Sequence, residues 1–95
     1  MSEAVEATFV VASELGLHLR PAGQFVAVAG RYEAKVEVSC GGEWVDGQSI
    51  LSLVSLVAGE GARVTIRATG PDAEPVVAAL GRILESTEIP GVPEK

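Results

Sequence analysis

The stretch Gly16-Leu17-His18-Leu19-Arg20-Pro21-Ala22 holds the only histidine of the chain and sets an arginine two residues after it. A neutral imidazole nitrogen is a nucleophile near physiological pH, and a guanidinium offers a permanent charge and a fork of donors that fits phosphate oxygens. Pro21 suits the first turn of a helix, where its missing N–H has no intrahelical partner to lose, so His18 and Arg20 stand where a helix begins. First-turn N–H groups and the positive end of the helix dipole favour an anion there. These parts suit phosphoryl transfer to His18, which needs positioning and charge balance more than covalent machinery. Taken singly, His18 reads as a loop histidine capping a helix and Arg20 as a solvated surface charge. Together with Gly16 and Pro21 at one strand-to-helix junction they form a far more specific signal.

Other chemistries lack their parts. No second base, metal cluster or Gly-rich nucleotide loop completes an independent hydrolase or kinase site. Cys40 is the only cysteine, so no intrachain disulfide or multi-cysteine metal site can form; neither metal nor cofactor is expected, and Cys40 reads as a buried strand residue. Thirteen acids against seven bases give a net charge of -6 with no Lys/Arg cluster, which disfavours nonspecific nucleic-acid binding. Every apolar stretch is interrupted well short of the ~20 residues of a membrane helix, and Met1-Ser2-Glu3 lacks a basic region leading into an apolar one. The expectation is a cytoplasmic protein without membrane insertion.

The elements that must position His18 are legible from periodicity. With 95 residues, 47% of them hydrophobic, the chain should form one domain over 1–95, ordered from about 4 to 86 with a frayed tail at 87–95. Val5, Ala7, Phe9 and Val11 alternate as a strand; Ala22, Phe25, Val26 and Ala29 fall at helical spacing from Pro21, and Gly30 ends that helix. Ala34, Val36, Val38 and Cys40 give a second strand, and Gly41-Gly42 turns it into the short run Glu43-Trp44-Val45-Asp46. Ser49 stands as N-cap of a short helix carrying Ile50, Leu53, Val54 and Val57, which Gly59-Glu60-Gly61 ends. Ala62, Val64, Ile66 and Ala68 alternate with Arg63, Thr65 and Arg67, whose face should see solvent. Asp72 can cap a last helix with an apolar stripe of Val76, Val77, Leu80, Ile83 and Leu84, Pro75 lying within its first turn. The order βαββαβα implies an α+β fold, an open-faced sandwich with helices on one face of a four-stranded, mostly antiparallel sheet.

Through Gly16-Leu17-His18, Arg20-Pro21-Ala22, Gln24-Phe25 and, separately, Asp46-Gly47-Gln48-Ser49-Ile50-Leu51, the chain resembles the histidine-containing phosphocarrier (HPr) family of the bacterial phosphoenolpyruvate-dependent phosphotransferase system. The resemblance spans most of the chain, from the first strand through the last helix. It implies that His18 accepts a phosphoryl group on Nδ1 from enzyme I and donates it to an enzyme IIA of the sugar system. Arg20 would balance phosphate charge, with Gly16 and Pro21 shaping the site, and the protein would act as a monomeric, stoichiometric carrier and not as an enzyme. Ser49, an ordinary N-cap worth about 0.5 to 2 kcal/mol, also matches the serine that some bacteria phosphorylate with an HPr kinase. A phosphate there would set negative charge beside Ile50 and Leu51.

Partner binding is assigned to Leu19, Ile50, Leu51 and Val54. Ile50 and Leu51 are neighbours about 100° apart on a helix, so one of them should stay exposed. Leu19 stands where relatives generally have a small residue, Gly23 replaces a better helix former, and Gln48 a basic residue. No lysine lies between Pro21 and Gly30, where many relatives carry a basic ring, which implies less acidic partners or docking by apolar contact. Two other readings stay open: a nitrogen-type regulatory phosphocarrier, and a domain that binds a small anion without covalent chemistry.

Overall fold

In the computed structural model, which describes residues 4–13, 16, 19–56 and 58–86, the alternating stretches form strands β1 (Ala4–Val10), β2 (Lys35–Ser39), β3 (Trp44–Asp46) and β4 (Arg63–Thr69). The helical stretches are α1 (Leu19–Ala29), α2 (Ile50–Ser55) and α3 (Ala73–Glu85). The sheet runs β1-β4-β2-β3 and every neighbouring pair is antiparallel. The fold is the expected α+β sandwich.

Period-two burial decides which sheet face meets the helices. Val36 and Val38 of β2 and Val64, Ile66 and Ala68 of β4 are buried, and they join Phe25 of α1, Leu53 of α2 and Val76 and Leu80 of α3 in one core. From β1, Val5, Ala7 and Phe9 pack against that core as half-buried residues. The Phe9 ring occupies the place where a side chain at Gly81 of α3 would be, with Cδ1 2.8 Å from an ideal Cβ position. A residue that weakens a helix is therefore needed here by the ring of another element.

Four local expectations are corrected. Helix α1 starts at Leu19, two residues ahead of Pro21, which is its third residue and still within the first turn. Asp72 occupies the N-cap position of α3, its carbonyl accepting from the Val76 N–H at 3.0 Å, but its carboxylate does not cap the helix. With φ -104 and ψ 25, away from the extended backbone usual at an N-cap, it instead accepts the Glu33 N–H at 2.8 Å, while the Asp72 N–H donates to the Glu33 carbonyl at 3.1 Å. Cys40 is half-buried just beyond β2, because the chain already bends there into Gly41 and Gly42 at φ 96 and 115. Arg67 is half-buried on the open face: its guanidinium lies 4.0 Å above the Trp44 ring and donates to Glu37 Oε1 from Nε at 3.3 Å and Nη2 at 3.1 Å. Leu17, His18, Val57 and the tail 87–95 lie outside the described residues.

Candidate functional site

The approach to His18 is fixed by a glycine. Gly16 is buried at φ 72, and its N–H donates to the Ser13 carbonyl at 3.0 Å. A β-carbon here would collide with the Ala58 carbonyl oxygen and sit 2.8 Å from the Gly59 Cα, both backbone atoms. The chain two residues before His18 is thus seated against the chain just beyond α2. The junction glycine was legible in the sequence; its seat was not, and only the bare Gly59 hinted at a close approach.

His18 itself lies outside the described residues and stands in sequence directly before Leu19, the first residue of α1. Leu19 is 65% exposed, Arg20 is exposed, Pro21 is half-buried and Ala22 is fully buried, so the helix turns one side inward within its first four residues. The first turn of α1 has no acidic residue, which leaves its positive pole uncompensated by the helix itself.

The second element starts from a pinned turn. The Gly47 N–H donates to the Val36 carbonyl at 2.9 Å, so close to β2 that a β-carbon at Gly47 would lie 2.6 Å from Val36 Cγ1, and Asp46 Oδ1 accepts the Gln48 N–H at 2.9 Å. Ser49, in extended backbone, then caps α2: its Oγ accepts the Ser52 N–H at 3.3 Å and its carbonyl the Leu53 N–H at 3.1 Å. Of the side chains that follow, Leu53 is fully buried, whereas Leu51 is 81%, Ile50 37% and Val54 36% exposed. Helix α2 packs beside α1. The structure therefore places Gly16, Leu19 to Pro21 and the outer side of α2 on neighbouring elements. Val10, at the end of β1, is also exposed and was singled out only as a strand residue. Among the described residues no group of His, Cys, Asp and Glu could hold a metal ion, and no helix is long and apolar enough to cross a membrane.

Residues 5–86 match the family model described as the PTS HPr component phosphorylation site. Over 70 residues the chain is 36% identical to the phosphocarrier protein HPr of Cupriavidus necator, covering 74% of this chain and 79% of that protein. The crystal structure of HPr from Bacillus anthracis shares its fold with a TM-score of 0.81 at 34% identity, covering 85% of this chain and 96% of the other. For HPr of Thermoanaerobacter tengcongensis the TM-score is 0.80 at 32% identity, with 85% and 91% covered. The fold and the paired motifs define a small phosphocarrier domain of the phosphotransferase system. The chain belongs to the HPr family.

Proposed function

We propose that His18 is the phosphoryl acceptor and that the chain serves the sugar branch of the phosphotransferase system. The observation that supports this is that Leu19-Arg20-Pro21, which follow His18 directly in the sequence, open α1 within the matched residues 5–86. The lone pair of Nδ1 attacks phosphorus; a P–N bond forms as the bond from phosphorus to enzyme I breaks, and its electron pair leaves with enzyme I. Donation to an enzyme IIA repeats the exchange with His18 as leaving group. Arg20 neutralises charge on the moving group, while Gly16 and Pro21 hold the chain on either side of His18. The chain supplies no turnover of its own and acts as a stoichiometric carrier, a cytoplasmic monomer.

Ser49 is assigned a second role as a site for an HPr kinase. A phosphoryl group on its Oγ would bring negative charge beside Ile50 and Leu51 at the start of α2. Unchanged transfer from enzyme I after Ser49 phosphorylation would refute that inhibition.

The test is intact-protein mass spectrometry after incubation with phosphoenolpyruvate, magnesium and enzyme I. One acid-labile phosphoryl adduct on the wild type, missing from His18→Ala, is the expected result. Saturable binding of an anion with no covalent product would refute the carrier chemistry. Transfer onward to a sugar-type but not a nitrogen-type enzyme IIA is expected; the reverse preference would move the chain to the regulatory branch.

A further inference from the structure

Val11 and Gly16 stand on the way from β1 to His18, and both meet the same short stretch, 58–62, between α2 and β4. Val11 exchanges both of its backbone hydrogen bonds with that stretch: its N–H donates to the Ala62 carbonyl at 2.9 Å, and the Gly61 N–H donates to the Val11 carbonyl at 2.8 Å. Gly16 rests against the Ala58 carbonyl and the Gly59 Cα, where no β-carbon would fit. The stretch is itself closed into a turn by the Ala62 N–H, which donates to the Gly59 carbonyl at 3.0 Å. Ala12, next to Val11, is tied to a third element, its N–H donating to the Leu84 carbonyl in the last turn of α3 at 3.0 Å.

Gly61 decides whether that turn forms. It is exposed and an added β-carbon would meet nothing within 4 Å, yet its φ is 85. Space is therefore not what requires glycine here; the left-handed backbone is, and that backbone aims the Gly61 N–H at Val11. Gly59, Glu60 and Gly61 are all exposed and add no side chain to the core, so what the turn supplies is the placement of the chain it holds.

We infer that turn 59–62 positions His18 for phosphoryl transfer and that Gly61 is its positioning residue, acting through Val11 and Gly16. The inference rests on the carrier reading and gives a task to residues that the sequence marks only as the stop after α2. Phosphoryl transfer depends on alignment more than on covalent machinery. A displaced approach to the histidine therefore slows the step within the docked complex and leaves docking itself unchanged.

The experiment mixes phosphorylated cognate enzyme I with a rising excess of this chain and follows a single turnover, which separates the limiting rate constant from the half-saturating concentration. Gly61→Ala should lower the limiting rate at least about fivefold and leave half-saturation within about twofold, under conditions in which circular dichroism shows the variant folded. Gly61→Asn, which tolerates positive φ better, should recover the rate to within about twofold of wild type. Gly41→Ala is the control for strain alone: Gly41 lies in the turn between β2 and β3 at φ 96 with nothing within 4 Å of an added β-carbon, so this variant should melt lower as Gly61→Ala does and keep the wild-type rate. An unmoved limiting rate in folded Gly61→Ala, or an equal fall in Gly41→Ala, would overturn the inference. If the wild type gains no phosphoryl adduct at all, the carrier reading itself fails; if wild type and Gly61→Ala gain one at the same limiting rate, only the positioning role fails.

Discussion

The open face of the sheet and the outer side of α1 and α2 are both surface, yet they treat their protruding side chains in opposite ways. On the sheet, Arg67 lies over Trp44 and binds Glu37, and the hydroxyls of Thr8 and Thr65 meet at 2.8 Å across β1 and β4. These five side chains find partners within the same molecule. On the helices Leu19 and Leu51 stand out with most of their surface in water. Single exposed leucines are common, and these two bury little of themselves in the fold. One face pairs protruding side chains internally, and the other leaves its leucines in water.

Substitutions can break or sharpen that contrast. Gly16→Ala should have the largest effect, because it forces a β-carbon at positive φ into backbone it cannot displace: a loss of about 2 kcal/mol or more in urea unfolding, with transfer impaired even in the folded fraction. A variant of wild-type stability would show that the seat at Ala58 and Gly59 yields. Leu51→Asp comes next and should cut transfer from enzyme I about tenfold, near 1.4 kcal/mol, yet leave unfolding within about 0.5 kcal/mol of wild type. A matched loss of stability would make Leu51 a structural residue and erase the contrast. Arg67→Ala should do the reverse, costing about 1 kcal/mol in thermal unfolding with no change in transfer, since its ion pair is partly solvated and the ring contact carries much of the gain. Smallest is Ser49→Ala, about 0.5 kcal/mol at the low end for an N-cap because the Ser52 N–H is as far as 3.3 Å; hydrogen exchange at Ser52 and Leu53 would detect it.

What could be read in advance depended on whether a residue's reason is local. The alternation of Val64, Ile66 and Ala68 needs only the pleat, and the cap at Ser49 needs only the next three residues, so both were legible. Asp72 looked like a cap of the same kind, but its partner is Glu33, 39 residues away, and nothing in its own neighbourhood announces that bond. Gly81 reads as a weak point in a helix until the Phe9 ring is placed beside it. At the candidate site the pattern of His18, Arg20 and Pro21 suggested the chemistry proposed above, and the helix geometry required that Ile50 and Leu51 not both be buried. Which of the two would be the more exposed depended on how α2 packs beside α1 and β3, and that is tertiary information.

The bare α-carbon at Gly16 also has a genetic side. Every single-base change of a glycine codon that replaces the residue with another introduces a β-carbon, so each such variant meets the same backbone atoms at Ala58 and Gly59. No amino-acid replacement there leaves that seat untouched. Leu51, solvated over four fifths of its surface, can drift freely as far as folding is concerned and is restrained only by whatever meets it. One domain thus holds a position frozen in descent beside a side chain that folding leaves free to change.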